Sequence, residues 1–249
     1  VHHEVLLPIA GCLLAAALWG VCASVFDMVL LPPPSAVAMA MVEQAFHGGL
    51  GEDAWASSGR VLAGVCFAFS LTSVLVLAAA LWPPFERIVS GPIELTRPVP
   101  PIAWTPLAIM ALGVGPGAAV AIVTVGAFFP LWLSVARGLR EVRKVHILAA
   151  RSLGAGHARL LADVILPSIL PYALHGLRLS TGFGWFSVVA AEMMGAPSGL
   201  GRGIQMSSLN LDVTNLYAYI LTTGIAGFAC DRALFAVERS VSHWRGGKA

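Results

Sequence analysis

Residues 148–167, LAARSLGAGHARLLADVILP, form a basic and largely amphipathic insertion between two segments hydrophobic enough to cross a membrane. Such a stretch offers a surface to a soluble partner. The flanks set the class. Hydrophobic residues make up 57% and charged residues 11% of the 249-residue chain, and its mean hydropathy is +0.82, far from soluble-domain averages. Residues 5–26, 61–82 and 98–136 contain no Asp, Glu, Lys or Arg, and about 20 residues suffice for one crossing. The third run is long enough for two, with its break at Gly113-Val114-Gly115-Pro116-Gly117, where glycines and a proline favour a turn over continued helix. Segments near 167–196 and 213–230 complete an expected all-α membrane protein of about six transmembrane helices.

Charge asymmetry orients the chain, because cytoplasmic loops retain Lys and Arg. The stretch after the fourth crossing carries Arg137, Arg140, Arg143, Lys144, Arg151 and Arg159. Arg87, Arg239, Arg245 and Lys248 fall on the same expected side, against Arg60 and Arg202 opposite. Both termini and the insertion are therefore expected in the cytoplasm, in a multi-pass membrane protein. The net charge of +2 reflects this topology and not nucleic-acid binding. Residues 5–26 lack a basic leader and a convincing cleavage site, so they read as a permanent first helix and not a signal peptide.

Cys12, Cys22, Cys66 and Cys230 fall in apolar segments without a CxxC or Cys/His spacing, and read as small packing residues. His2 and His3 have no further ligands nearby, so no metal site is expected. No Walker-type glycine loop, HExxH or GxSxG is present, which leaves no nucleotide or catalytic site to assign to this chain.

Several polar features interrupt the apolar runs. Ser35, after Pro32-Pro33-Pro34, is placed to N-cap a short helix to about Phe46, before Gly48-Gly49. That segment reads either as a docking surface for an external protein or as a connection at the headgroups. Residues 94–106, ELTRPVPPIAWTP, hold four prolines and two charges, so the helix there should be bent or broken. Irregular backbone at membrane depth is tolerated against protein or a polar cavity. Glu94 and Arg97 then either line a pathway or pair with each other, i to i+3. Arg178 and Glu192, fourteen positions apart, share a helix face about 21 Å apart along the axis and cannot touch. Glu192 reads as a pathway or gate residue or as a hydrogen-bonded structural carboxylate, Arg178 as structural or snorkelling. Thr96, Thr105, Ser180 and Thr181 are further polar donors for a pathway.

Within the insertion, residues 141–152 have helical composition, with Glu141 able to pair with Lys144 or to open the first turn. Gly154 and Gly156 interrupt it, and residues 157–163 are expected to form a second short helix ending before Pro167. Ala149, Ala150 and Gly154 would let another surface approach closely.

Ala149-Ala150, three residues, Gly154, nine residues, then Val164-Ile165-Leu166-Pro167 resembles the EAA signature of binding-protein-dependent ABC importer permeases. Leu148 stands where the signature has Glu, and Val164 where it has Ile. The stretches IELTRPVPPIAWTPL at 93–107, LPSILPYALHGLRLSTGFGW at 166–185 and VVAAEMMGAPSGLG at 188–201 are similar to the taurine, alkanesulfonate and nitrate branch. The resemblance covers nearly the whole chain. It implies a type I ABC importer permease fold in which residues 1–249 form a single transmembrane domain and 137–166 its coupling segment. It implies no bond chemistry on this chain, and no cofactor, with ATP and Mg on a partner ATPase. The implied partners are a second permease copy in a homodimer, two cytoplasmic ATPases, an extracytoplasmic binding protein and membrane lipid, and no nucleic acid. A coupling role falls on Leu148, Ala149, Ala150, Arg151 and Gly154, and a pathway role on Glu94, Arg97 and Glu192. The implied cargo is a small oxyanion, with taurine or another alkanesulfonate ahead of nitrate or bicarbonate. A secondary transporter is the alternative reading, and no internal repeat with matched broken helices supports it.

Overall fold

The computed structural model describes residues 2–26 and 30–242. They are helical throughout: α1 (His2–Phe26), α2 (Pro34–His47), α3 (Leu50–Leu81), α4 (Pro83–Thr96), α5 (Thr105–Leu112), α6 (Pro116–Arg140), α7 (Lys144–Ser152), α8 (His157–Leu160), α9 (Leu166–Met193), α10 (Leu200–Leu209) and α11 (Val213–Ser242). Among the described residues, four helical segments are long and apolar enough to cross a membrane: Leu50–Leu81, Pro116–Arg140, His157–Met193 and Val213–Ser240. Ala10–Val25 and Pro101–Leu112 are shorter apolar helices, so the apolar segments number as the sequence implies while one crossing is split.

The split follows from proline. α4 ends at Thr96, a bend covers residues 97–100, and a short 3-10 turn at Pro101–Trp104 leads into α5. Prolines at 98, 100 and 101 cannot donate to a helical ladder, and the irregular stretch is the expected interruption. α5 then stops at Leu112, and Gly113 and Gly115 take φ of 77° and 148° before α6 begins, at the glycine break read from the sequence.

α3, α6 and α9 form the centre. Ala68, Val123, Ala127, Trp185 and Val188 fill the space between them, and Leu131, Trp132, Leu160, Ile165 and Ile169 extend the core toward the end that carries α7. Lipid tails are as apolar as leucine, so close packing drives helix association here. Gly138 lies where an added Cβ would sit 2.7 Å from the Tyr172 ring, and Gly176 where it would sit 2.8 Å from Ser134 Cβ. α1 remains peripheral, with Leu13, Leu14 and Leu18 more than half exposed, as suits a lipid-facing helix.

Some expectations are corrected. Pro33, not Ser35, is the N-cap of α2, and it offers no side-chain bond; the proline at the first helical position fixes the start instead. Glu141 closes the C-terminus of α6 and does not open α7, which starts three residues later. The helix over 157–163 does not stop before Pro167. It passes through a π turn at Leu161–Ile165, where the Leu166 N–H donates to the Leu161 carbonyl, straight into α9. Widening the turn relieves the proline's conflict with the preceding ladder. Cys12 and Cys66 are exposed on the chain's surface, not packed inside it. The side chains of His2 and His3, and the tail cations Arg245 and Lys248, lie outside the described residues.

Candidate coupling surface and translocation cavity

The signature glycine has a local explanation. α7 ends in a Schellman motif: the Ala155 N–H donates to the Ala150 carbonyl at 3.0 Å and the Gly154 N–H to the Arg151 carbonyl at 2.9 Å. This closure needs a left-handed residue, and Gly154 supplies it with φ of 79°. No heavy atom lies within 4 Å of the position its Cβ would take, so the glycine serves backbone conformation and not packing within the chain. The turn sends the chain into α8 and α9, with Ile147, Ala150, Leu160 and Leu161 packed against the α6–α9 core. Ala150 is therefore half-buried, while Leu148, Ala149, Arg151 and Gly154 face outward. Leu148 is 62% and Leu153 88% exposed, which leaves an apolar edge beside a basic one.

A cavity of about 500 Å³ opens toward the same end of the bundle. Arg97, Arg137, Tyr172 and His175 give it polar atoms, and Phe129 and Phe183 are part of an apolar wall. Arg97 sits at the C-cap of α4 and Arg137 in the last turn of α6. Among the described residues neither has a carboxylate within salt-bridge distance. Tyr172 donates its hydroxyl to Glu141, and His175 has Glu238 at 4.0 Å. Glu94 is exposed and does not line this cavity, and it forms no ion pair with Arg97 among the described residues.

Glu192 has another environment altogether. It is fully buried, and its carboxylate accepts from Arg60 Nη1 at 2.5 Å, from Ser57 Oγ at 2.8 Å and from the Gly201 N–H at 2.9 Å. Arg60 also donates to the Ser198 carbonyl at 2.7 Å and to Ser198 Oγ at 2.8 Å. The Leu200 N–H donates to Ser57 Oγ at 2.9 Å, and the Gly199 N–H to Asp53 Oδ1 at 2.7 Å. The α10 N-terminus is thus tied to α3 and α9 at the end of the bundle opposite α7. A buried charge needs a partner and full hydrogen bonding, and Glu192 has both.

Arg178 makes two bonds to Asp231 on α11, at 2.6 Å and 2.9 Å. Thr96 and Thr181 return their hydroxyls to carbonyls of their own helices, and Thr105 and Ser180 are buried. None of the four lines the cavity. From the sequence Arg137 reads as a topology marker and Arg60 as a loop residue; Arg137 lies about two helical turns beyond Pro130 on α6, and its approach to Arg97 is set by the fold.

Residues 56–243 match a family described as "Binding-protein-dependent transport system inner membrane component". The taurine transport system permease protein TauC of Escherichia coli K12 is 32% identical over 98% of this chain and 91% of its own length. A putative aliphatic sulfonates transport permease protein, SsuC of Bacillus subtilis 168, is 29% identical over 92% of this chain and 84% of its own. A chain of the inward-facing MetNI methionine ABC transporter has the same fold, with a TM-score of 0.62 at 23% identity over 78% of this chain and 98% of that one.

Proposed function

The chain belongs to the family of binding-protein-dependent transport system inner membrane components, and on that premise we propose that it moves a small organic oxyanion into the cell as the permease of an ATP-driven importer. An alkanesulfonate such as taurine is the first candidate, since taurine and aliphatic sulfonates are what the names of two relatives specify. The chain itself carries out no bond chemistry. It pairs with a second copy, receives cargo from an extracytoplasmic binding protein, and is driven by two cytoplasmic ATPases that hold the ATP and Mg. Both termini and the 137–166 segment face those ATPases.

The observation that carries this reading is the exposed α7–Gly154–α8 elbow, held by the Schellman closure and rooted in the core through Ala150 and Leu160. A rigid elbow with an exposed apolar and basic edge transmits a push on its surface into α6 and α9, as rigid-body alternating access requires. Leu148, Ala149, Ala150, Arg151 and Gly154 form this coupling unit. Leu148 replaces a charge contact with an apolar one. Arg97 lies on the pathway, Glu94 about one turn before it on α4, and Glu192 contributes by locking the α10 end. The test is reconstitution with the cognate ATPase and binding protein. ATP-dependent uptake of labelled taurine or an alkanesulfonate is expected, and uptake confined to a neutral or cationic solute would overturn the cargo assignment while leaving the permease assignment intact.

A further inference from the structure

The cavity between the α4–α5 bend, α6 and α9 is amphipathic in a specific way. Among the described residues its charge comes from two guanidiniums on different elements, Arg97 after α4 and Arg137 on α6, and no carboxylate lines it. At the cavity's polar residues Glu141 is engaged by the Tyr172 hydroxyl and Glu238 sits 4.0 Å from His175. Two further arginines of the helical bundle are engaged by carboxylates: Arg60 holds Glu192 and Arg178 holds Asp231. The remaining wall is mostly apolar, with Phe129, Leu179 and Phe183. At about 500 Å³ the space far exceeds the volume of one water, about 30 Å³. Both arginine side chains are exposed, so an anion entering the cavity can reach them, and guanidinium matches an oxyanion in a planar, multidentate way.

Building on the importer assignment, we propose that Arg97 and Arg137 are specificity-determining residues of the permease itself, which hold the anionic head of the cargo while the Phe129–Leu179–Phe183 wall takes its hydrocarbon part. Selection is then made twice, by the binding protein and again by this cavity, and a cation that entered would be repelled from both arginines.

The electrostatic part is read without any cargo. In the assembled complex with Cys12, Cys22, Cys66 and Cys230 replaced, a reporter thiol is placed in the cavity as Leu133→Cys and, separately, as Leu179→Cys. Its reaction rates with anionic sulfonatoethyl and cationic trimethylammonioethyl methanethiosulfonate are compared with those of a free thiol in solution. The anion-to-cation rate ratio is expected to exceed the free thiol's, and to fall at least about fivefold when Arg97→Gln and Arg137→Gln are combined. The double Lys variant should keep it. A ratio equal to the free thiol's, a ratio indifferent to the Gln changes, or no reaction at either position overturns the proposal. In ATP-driven alkanesulfonate uptake, the double Gln variant should lose about tenfold with binding to the binding protein unaltered, and the double Lys variant should recover most of it. Full uptake by the Gln variant defeats the proposal alone. Absence of anion uptake by the unmodified complex, with the rate ratio as expected, defeats the cargo assignment instead.

Discussion

Two residues show how local and long-range chemistry divide the work. Gly154 at φ of 79° occupies a region where any other L-residue costs about 1–2 kcal/mol. Gly154→Ala should therefore fray the α7 terminus, and Gly154→Trp should add bulk to the exposed edge. We expect the Trp variant to insert and assemble normally in the membrane but lose substrate-stimulated ATP hydrolysis and uptake by at least about tenfold; unchanged hydrolysis would remove Gly154 from the coupling unit. This glycine was legible in the sequence because its cause is local, a helix end with fixed spacing from Ala150. Glu192 was only half legible. The chain shows a carboxylate in an apolar segment, but its partner Arg60 lies 132 positions away, and hydropathy weighs each charge alone. Breaking a buried pair by removing one partner costs about 3–5 kcal/mol, whereas replacing both by apolar groups can be near neutral. Arg60→Ala and Glu192→Ala should each lower the thermal unfolding midpoint in detergent markedly, and Arg60→Met with Glu192→Met should recover much of the loss. Equal midpoints for all three would deny the pair its structural role.

At the level of elements, the uncharged runs marked the spanning helices well because burial in lipid is a property of every residue in them. The proline-broken stretch before α5 and the glycine break before α6 were equally visible, since both breakers act on their own backbone. The continuous passage of α8 into α9 was not. A proline normally reads as a stop, and here the helix continues past Pro167 through the π turn at Leu161–Ile165. α10 was missed for another reason: ten residues with four polar side chains and two glycines carry no apolar stripe long enough to announce a helix, and its N-terminus is defined by Ser57, Asp53 and Glu192 from other elements. Packing of α6 on α9 rests on missing side chains, which makes a clean test. Gly176→Leu would press on Ser134 and Leu131, and overpacking of this sort costs about 1–3 kcal/mol. Gly11→Leu on α1 meets nothing within 4 Å. The first should lower the unfolding midpoint measurably and the second should leave it unchanged; equal effects would mean that the α6–α9 contact tolerates bulk.

For the whole molecule, the charge distribution and the geometry agree on a polarity. Arg97 and Arg137 with their cavity, the α7 elbow and the arginine-rich 137–163 stretch lie at one end, whereas α2, α10 and the Arg60–Glu192 lock lie at the other. Loops dense in Lys and Arg resist translocation, so the first end should face the cytoplasm. This orientation is consistent with the proposed cargo: an anion entering from the α10 end would meet the paired Arg60 and Glu192 first and the Arg97 and Arg137 guanidiniums nearer the cytoplasm. Single cysteines at Glu43, Gly117 and Asn210, all exposed, report on the α10 end, and one at Arg143 reports on the other. In intact cells of a cysteine-free background, a membrane-impermeant thiol reagent should label the first three and reach Arg143→Cys only after the membrane is opened. Labelling of Arg143→Cys in intact cells, with Glu43→Cys protected, would invert the protein. An inverted chain would present its coupling elbow to the side without ATP, and the importer assignment would fall with the orientation.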